Sequence, residues 1–561
     1  MLFMEMLGLL WLMLAAPTYS YPGPDKSYTN PILPGWNSDP SCTFVKELDN
    51  TFFCTTSSFL AFPGVPVYAS KDLVNWRLAS NALTRPEQLP ELSFKGQQSE
   101  GIWASTIRYH EGVLYLITSY VTWSPWGPKI LLFRTTDPYD DSAWEGPLRV
   151  ENPGNDIDPD LFWDKNGKTY MSVAAGIYIS EVDLETGAAK EPIKVWNGTG
   201  DRNPEGPHIY TKDGYYYLLI GEGGTETNHS VTIARSKSIE GPYEGNPANP
   251  ILTAKNTDEY FQTVGHADLF QDASGNWWAV ALATRSGPEW EIYPMGRESV
   301  LVPAVGEREV ACSRNGTRKN VWTLAKEEYQ DSRPGSSLPK HFSFWRPPKT
   351  SLFEVSPRGH ANSLRISPSR VNLTADEDFD TKEDGLAFVF RKQSSTIFSY
   401  SVDVSFEPKE ADEEAGITVF LTQFQHIDLG IVNLAKGKGK AVPTLRFQVE
   451  ASGKPGEPVP KTKEVAIPKS WLGKPIRLTA RAKSSTTYVL SAALASNPKS
   501  EKVLGEANAS IVSGGSGPFT GTVVGAYATS NGGKGKTPAY FSRWRYTSLA
   551  QEIAEGEIIP V

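Results

Sequence analysis

A short sequence unit recurs five times in the first half of the chain, and it restricts the fold more than any other feature. In its clearest copy, Glu205 opens an alternating strand, Asp213 and Gly214 supply a tight turn, and an aromatic strand follows. An Asp-Gly pair between two alternating segments is typical of a β-hairpin. The turns of the five copies lie at positions 50, 112, 167, 214 and 275, and a further strand pattern follows most of them. A repeat of about 40 to 60 residues is typical of propeller blades, so we predict a five-bladed β-propeller.

Each copy of the unit begins with a polar or aromatic side chain at the point where the innermost strand of a blade would start. These leading residues are Asp39, Trp103, Asp158, Glu205 and His266. Because the inner strands of a propeller all begin at one end of its channel, the five side chains should converge there. A single Asp-Pro or Glu-Gly-Pro is an ordinary loop-to-strand turn. Their occurrence at equivalent positions in five repeats instead indicates a functional site.

The length of the chain, 561 residues, indicates more than one domain. Beyond about residue 345 the alternation continues, for example over 399–406 and 416–422, with no helical periodicity between the segments. This pattern predicts antiparallel strands of a β-sandwich. The predicted architecture is all-β, with a signal peptide at 1–20, a propeller at 21–330, a linker at 331–345 and a jelly-roll β-sandwich at 346–561.

The N-terminal segment predicts export. An apolar run at 6–16 is followed by small residues and is too short to span a bilayer comfortably, as in a signal peptide, although no Lys or Arg precedes it. We therefore expect a secreted, extracellular protein with no membrane association. Sequons compatible with N-glycosylation occur at Asn197, Asn228, Asn315, Asn372 and Asn508. The net charge of −9 argues against nucleic acid as a partner, and the sequence leaves the oligomeric state open.

The three cysteines suggest one disulfide and no zinc site. Cys42 and Cys54 lie on the two arms of the first hairpin, where they could face each other in an oxidising compartment, and Cys312 is left over. The chain has no Cys-x-x-Cys or His-Glu-x-x-His spacing. We expect a disulfide between Cys42 and Cys54.

The carboxylates among the leading residues point to hydrolysis of an acetal. That reaction uses two carboxyl groups, one protonated and one ionised. The chain has three such carboxyl groups, those of Asp39, Asp158 and Glu205, one more than the reaction needs. A third carboxylate beside the general acid can raise the pKa of that acid and hold its orientation. Trp103 offers a flat face to a sugar ring. These residues predict a glycoside hydrolase.

Several motifs resemble those of the glycoside hydrolase family 43 β-xylosidases and α-L-arabinofuranosidases. The matching segments are Asn30-Pro-Ile-Leu-Pro-Gly-Trp-Asn-Ser-Asp39-Pro-Ser, Thr56-Ser-Ser-Phe59 with Phe62-Pro-Gly-Val-Pro, Gly101-Ile-Trp103-Ala, Ile157-Asp158-Pro and Glu205-Gly-Pro-His. The resemblance covers nearly the whole mature chain, because the second half is similar to the concanavalin A-like sandwich that accompanies this branch. It implies exo-acting, inverting hydrolysis with no required cofactor. Some relatives carry a calcium ion or a water cluster on the propeller axis.

The resemblance also implies roles for individual residues. Asp39 would be the general base that activates water, Glu205 the general acid, and Asp158 the residue that tunes and orients Glu205. Inversion would place the base and acid carboxyls about 6.5 to 9.5 Å apart. Matches to substrate-binding positions of the family are the aromatic residues Phe59 and Trp103, the polar residues Thr225 and His266, the arginine Arg297, and Phe519, a sandwich residue that leans over the pocket.

Three residues close to the expected site differ from the pattern of the bacterial xylosidases of this family, and the differences bear on the substrate. Ser38 and Ser105 stand where those enzymes frequently have Pro, and Trp36 stands where they frequently have Phe. These changes resemble secreted fungal members that remove arabinofuranose from plant arabinoxylan, including doubly substituted xylose. An α-L-arabinofuranosidase is therefore preferred over a β-xylosidase, and a bifunctional enzyme is a further alternative.

Two other functions fit the same propeller. A non-catalytic carbohydrate-binding propeller would use the same aromatic residues but would not need three carboxylates. An endo-acting arabinanase or xylanase would need an open groove, against which the appended sandwich and Phe519 argue.

Overall fold

The structure is a computed structural model, and it describes residues 28–93, 98–174, 176–304, 336–375, 384–435 and 441–561. The predicted signal peptide, Cys312 and the Asn315 sequon lie outside the described residues. Among the described residues the only helical segments are six 3₁₀ turns: Pro86–Gln88, Pro90–Ser93, Asp141–Ala143, Thr350–Leu352, Lys469–Trp471 and Ala509–Val512. No helix in these parts of the chain is long and apolar enough to cross a membrane. The all-β prediction is confirmed.

Five antiparallel sheets form the blades of the N-terminal propeller, each following the predicted hairpin order. Blade 1 consists of Ser41–Val45, Thr51–Thr55, Gly64–Ser70 and Trp76–Leu83. Blade 2 consists of Gly101–His110, Val113–Val121, Lys129–Thr135 and Glu145–Val150. Blade 3 consists of Ile157–Trp163, Thr169–Ala174, Ile177–Glu181 and Ile193–Trp196. Blade 4 consists of Glu205–Lys212, Tyr215–Glu222, Ser230–Ser236, Glu244–Gly245 and Leu252–Thr253. Blade 5 consists of Phe261–Gln271, Trp277–Arg285 and Arg297–Pro303. The first strand of each blade contacts the first strands of both neighbouring blades, which makes a closed ring.

The beginning of the chain completes the fifth blade, which has three strands of its own. Leu33 pairs with Ser299, and the backbone N–H of Asn37 donates to the carbonyl oxygen of Arg297 at 2.8 Å. This pairing joins the segment before blade 1 to the last strand of blade 5 and so closes the ring. It also brings the segment that leads to Asp39 beside the strand that begins with Arg297.

One guanidinium joins the inner strands of all five blades. Arg108, on the first strand of blade 2, forms ion pairs with Asp160 of blade 3 and Asp268 of blade 5, with N–O distances of 2.9 and 2.8 Å. It also lies 3.1 Å from Nδ1 of His208 in blade 4 and 3.4 Å from Oγ of Ser41 in blade 1. Because it contacts every inner strand, this side chain lies in the central channel. The buried carboxylates there are neutralised by a cation of the protein itself.

The first hairpin carries the predicted disulfide. Cys42 and Cys54 are directly paired across the first two strands of blade 1 and are bonded to each other. Both are fully buried beside Phe52 and Trp76. The prediction from their positions on the two hairpin arms is confirmed.

The C-terminal domain is a sandwich of two antiparallel sheets. The first sheet contains, in spatial order, Ala61–Phe62, Ser343–Trp345, Phe388–Lys392, Val523–Thr529, Glu414–Thr422, Gln425–Leu434, Val442–Glu450 and Lys463–Ala466. The second contains Phe353–Val355, Ser363–Ile366, Ala539–Ala554, Ile397–Ser405, Ile476–Ser484, Thr487–Leu494 and Asn497–Asn508, and Glu557–Pro560 pairs with Ala539–Ala554. Alternate residues of both sheets face inward, and the core between them includes the buried rings of Tyr400 and Trp544.

The two domains are joined through the first sandwich sheet. Its strand Ser343–Trp345 lies inside the segment 331–345 predicted as a linker, and it pairs with Ala61–Phe62, a loop strand of propeller blade 1. The Trp345 ring lies 6.4 Å from that of Trp36 in the propeller, and both belong to one apolar core. This shared core fixes the sandwich on the propeller near the residues that lead to Asp39.

Candidate active site

The predicted leading residues lie where the inner strands of the blades begin, and four of these strands are irregular at that point. Register shifts interrupt the inner strands of blades 2, 3, 4 and 5 close to Trp103, Asp158, Glu205 and His266. Such bulges re-aim side chains that would otherwise alternate across the sheet. Asp39, Asp158 and His266 adopt left-handed backbone angles, with φ of 53°, 55° and 44°. Non-glycine residues rarely adopt this conformation, and it concentrates at functional sites.

Asp39 is buried at the entry to blade 1 and is held from two sides. Its Oδ2 accepts a hydrogen bond from the hydroxyl of Ser57, and its Oδ1 lies 3.7 Å from Nη1 of Arg297. Arg297 opens the last strand of blade 5, which pairs with the segment before Asp39. The ring closure therefore sets the position of this carboxylate relative to its cationic neighbour.

Asp158, Glu205 and His266 form one tight cluster, with an oxygen or nitrogen of each within 4.8 Å of the others. The backbone N–H of Gly206 donates to Oδ2 of Asp158 at 3.1 Å, which ties blade 3 to blade 4. Burial, with the nearby carboxylates of Glu205 and Asp39, raises the pKa of Asp158 to about 7, and the opposing effect of His266 is smaller. At neutral pH this group is therefore part protonated.

Glu205 is placed between two imidazoles. Its Oε1 lies 3.1 Å from Nε2 of His229 and 3.3 Å from Nδ1 of His266. Burial alone would raise the pKa of Glu205, but these two rings outweigh it and hold the pKa well below its usual value. Burial would lower the pKa of His266, but Glu205, Asp39 and Asp158 together raise it to about 9. The surroundings in the empty site thus favour the ionised form of Glu205 and the protonated forms of Asp158 and His266.

His229 was not predicted from the sequence. It is fully buried at the end of the loop between the second and third strands of blade 4. Its Nδ1 lies 3.1 Å from the carbonyl oxygen of Thr263, and since a carbonyl only accepts, Nδ1 carries a proton. His229 stands at no strand start of the repeat, so the pattern that revealed the other residues gives no signal for it.

Aromatic rings from both domains lie together on the side of Arg297 and Asp39. Phe59 lies 6.3 Å from Trp103 between ring centroids, and Phe519 lies 6.1 Å from each of them. The guanidinium of Arg297 lies 4.6 Å from the centroid of Phe519. Phe519 belongs to the sandwich, in the loop before Val523–Thr529, so the second domain contributes a side chain that contacts Phe59, Trp103 and Arg297 of the propeller.

Thr225 is less closely associated with the other predicted residues. It lies half-buried in the blade 4 loop that leads to His229. None of the hydrogen bonds described for the carboxylates involves it. Only its position in the loop that leads to His229 therefore associates Thr225 with the site.

The resemblance left open a calcium ion on the propeller axis. Asp158, Glu205 and His266 could together offer a cation two carboxylates and one imidazole. Calcium prefers about six to eight oxygen ligands, so these side chains do not form a calcium cage of their own. Farther along the channel, Asp160 and Asp268 are already paired with Arg108. The described side chains therefore offer too few oxygen atoms to enclose a calcium ion without water, and the proposed mechanism uses no metal.

Comparison with known families matches both domains. The family model of glycosyl hydrolases family 43 matches residues 28–305, and that of the β-xylosidase C-terminal concanavalin A-like domain matches residues 332–547. These two ranges correspond to the propeller and the sandwich.

Individual relatives match three quarters or more of the chain. The non-reducing end α-L-arabinofuranosidase BoGH43B of Bacteroides ovatus is 32% identical over 542 residues, which cover 93% of this chain and 95% of that protein. A xylosidase/arabinosidase of Butyrivibrio fibrisolvens is 33% identical over 444 residues, covering 75% and 81%. The crystal structure of the GH43 protein BlXynB from Bacillus licheniformis superposes with a TM-score of 0.80 at 27% identity, covering 93% of this chain and 100% of the other. The chain therefore belongs to glycosyl hydrolases family 43 and is a glycosidase with a five-bladed propeller and a concanavalin A-like sandwich.

Proposed function

We propose that this glycosidase is a secreted, exo-acting and inverting α-L-arabinofuranosidase that debranches plant arabinoxylan. The observation that carries the proposal is the contact of Phe519 of the sandwich with Phe59, at 6.1 Å, and with Arg297, whose guanidinium lies 3.7 Å from Asp39 of the propeller. A pocket walled by both domains fits one terminal sugar better than the middle of a chain. The relative of B. ovatus, which aligns over both domains, is named a non-reducing end α-L-arabinofuranosidase.

Asp39 has the surroundings of a general base. The Ser57 hydroxyl fixes one carboxylate oxygen, and the Arg297 guanidinium lies near the other. Arg297 also contacts the face of Phe519, so it can orient a sugar hydroxyl between the base and the aromatic wall. In this proposal Asp39 takes a proton from the water that attacks the anomeric carbon, and inversion follows because no covalent intermediate forms.

Glu205 is the proposed general acid, and its protonation depends on the substrate. His229 and His266 favour the ionised form of this carboxyl in the empty site. A glycosidic oxygen placed against Glu205 accepts a hydrogen bond only from the protonated form, and so favours it. Asp158 and His266 lie within 4.8 Å of Glu205 and hold the protons that can be redistributed to it. Asp158 is thus a positioning residue that also supplies acidity to the cluster.

A β-xylosidase, or an enzyme with both activities, is the alternative within the same chemistry. The relative of B. fibrisolvens carries the name xylosidase/arabinosidase. Both sugars are pentoses, and both would meet the same carboxylates and the same aromatic wall. The choice between them depends on how a furanose or a pyranose ring fits between Trp103 and Phe519.

Product analysis tests the proposal directly. Purified protein is incubated with wheat arabinoxylan and, separately, with xylobiose, and the sugars released are separated by chromatography. We expect arabinose alone, and proton NMR of the first product should show the inverted anomer. Xylose from xylobiose would contradict the arabinofuranosidase assignment. Release of internal oligosaccharides would contradict exo action, and release of no sugar would favour a carbohydrate-binding protein.

Two variants test the assigned roles. Asp39→Asn should lower kcat on every substrate by at least about 100-fold, the usual contribution of a general base. Glu205→Gln should lower kcat on arabinoxylan as strongly but should act much better on a dinitrophenyl arabinofuranoside, whose leaving group needs no proton. Equal losses on both substrates in the Glu205→Gln protein would contradict its role as acid.

Secretion is tested with the native N-terminus. Expression of the full chain in a eukaryotic host should release the protein into the medium with residues 1–20 removed, as read by mass spectrometry. The sequons at Asn197, Asn228, Asn372 and Asn508 are all exposed. A cell-associated product with an intact N-terminus would contradict this localisation.

A further inference from the structure

Two exposed tryptophans stand next to the pocket. Trp123 and Trp126 lie in the connection between the second and third strands of blade 2, with 38% and 41% of their surface exposed. They are the only large aromatic side chains with this degree of exposure among the described residues. Exposed apolar side chains of this size cost solvation free energy, and grouped ones often mark a binding surface.

The two rings are held in place rather than loose. The indole N–H of Trp123 donates to Oγ of Ser99 at 2.8 Å, and that of Trp126 donates to the carbonyl oxygen of Asn155 at 3.2 Å. The backbone N–H of Trp123 donates to Glu100, and the two tryptophans form a backbone bridge with each other. A ring fixed in this way loses little conformational freedom when a ligand stacks on it.

These rings continue the wall of the pocket outward. The centroid of Trp103 lies 5.3 Å from that of Trp123 and 6.2 Å from that of Trp126, and the two exposed rings are 5.4 Å apart. On its other side Trp103 contacts Phe59 and Phe519 in the pocket. A series of aromatic rings therefore runs from Phe519, which lies over the Arg297 guanidinium beside Asp39, to the surface of blade 2.

We propose that Trp123 and Trp126 form a binding platform for the polysaccharide main chain that stays outside the pocket. The proposal rests on the exo-acting function above and names the part of the substrate beyond the cleaved bond. When a terminal sugar occupies the pocket, the remaining chain must leave through its mouth. The C–H faces of pyranose rings are apolar and stack on indoles, whereas their hydroxyls remain in water. Two side chains are too small an area for a stable protein partner, which buries about 1,200 Å² or more.

The test separates the platform from the pocket. In a Glu205→Gln background, which prevents turnover, binding of xylohexaose is measured by calorimetry for the parent, Trp126→Ala and Trp126→Phe. In the otherwise native enzyme, kcat/KM is measured on wheat arabinoxylan and on 4-nitrophenyl α-L-arabinofuranoside. Leu472→Ala, which removes an exposed apolar side chain of the sandwich, is the control.

Loss of one stacking ring should weaken xylohexaose binding about tenfold, which lies within the range found when an aromatic ring that stacks on a nucleobase is replaced by alanine. The ratio of kcat/KM on the polymer to that on the aryl glycoside should fall by a similar factor. Trp126→Phe should recover most of both effects, and Leu472→Ala should change neither. Unchanged xylohexaose affinity in Trp126→Ala would overturn the platform. So would an equal loss on polymer and aryl glycoside, because that result indicates a role in supporting Trp103.

The outcome is independent of which sugar is released. If the native enzyme proves to be a β-xylosidase, the proposed function fails, but a Trp126-dependent affinity for xylohexaose still establishes the platform. If arabinose is released and the affinity does not depend on Trp126, the function stands and the platform fails.

Discussion

The Nε2 atom of His229 lies 3.1 Å from Oε1 of Glu205, while Nδ1 of the same ring lies 3.1 Å from the carbonyl oxygen of Thr263. The second contact fixes a proton on Nδ1, because a carbonyl oxygen only accepts, and leaves Nε2 facing the Glu205 carboxyl. His229 is one of the two imidazoles that lower the pKa of Glu205, so it acts on the protonation of the proposed acid.

Replacing His229 by Asn should shift the pH dependence of the enzyme. His229 is one of the two groups that hold the pKa of Glu205 low. Without it the pKa of Glu205 rises, so the basic limb of kcat, which reports the enzyme–substrate complex in which this carboxyl carries the proton, should move to higher pH. The measurement is a pH profile on an aryl arabinofuranoside. His360→Asn, which removes an imidazole stacked on Tyr540 in the sandwich, is the control. A basic limb that stays in place would show that His229 does not act through Glu205.

Asp158→Asn should gain stability and lose activity. Burial and the neighbouring carboxylates raise the pKa of Asp158 from 3.8 to about 7. The folded protein thus binds this proton more tightly than the unfolded chain. Binding of this proton therefore adds to the free energy of unfolding. The contribution is fully present below about pH 4 and is lost as the pH rises to about 7. Since Asn does not ionise, the variant should become more stable than the parent over this range, by at most about 4 kcal/mol at three pKa units.

Denaturant unfolding at pH 4 and pH 8 measures that difference. The free energy of unfolding of the two proteins should agree more closely at pH 4 than at pH 8, where the variant should be the more stable. At the same time kcat should fall by about 100-fold or more, because the cluster loses a proton source beside Glu205. A variant that is less stable than the parent at pH 8 would contradict the raised pKa of Asp158.

The repeat made the main elements of the site predictable from the sequence. Each blade repeats the same strand and turn order, so residues at equivalent positions come to lie at the same end of the channel. This reasoning places Asp39, Asp158, Glu205 and His266 without any knowledge of tertiary contacts. The disulfide follows in the same way, because Cys42 and Cys54 are register partners in one hairpin.

Contacts that no repeat encodes were not predictable. His229 reaches Glu205 from the end of a loop, and Arg108 meets Asp268 across 160 residues of sequence. The exposure of Trp123 and Trp126 depends on the path of one blade 2 connection, which the sequence pattern does not define. The position of Phe519 over the propeller depends on the shared core around Trp36 and Trp345, so only the family resemblance indicated it.

Arg108→Met should destabilise the propeller strongly. The variant leaves the buried carboxylates of Asp160 and Asp268 without their cation in the central channel. Breaking a buried ion pair by removing one partner costs about 3 to 5 kcal/mol. Urea unfolding of the two proteins measures the difference. Arg235→Met removes an exposed arginine over Tyr215 and should cost less than about 1 kcal/mol. A similar small cost for Arg108→Met would contradict the role of the guanidinium as the link between the five blades.

Phe519→Ala tests whether the sandwich takes part in binding the terminal sugar. Phe519 contacts the rings of Phe59 and Trp103 and the guanidinium of Arg297, and all three belong to the propeller. Its removal opens one side of the pocket and frees Arg297, so KM on an aryl arabinofuranoside should rise about tenfold, the loss expected for one well-packed aromatic contact of about 1.4 kcal/mol. The half-buried Phe406 of the sandwich core gives a matched control, since Phe406→Ala should lower the stability without changing KM. If Phe519→Ala leaves KM and kcat unchanged, the sandwich does not help to bind the terminal sugar, and the exo-acting pocket must be formed by the propeller alone.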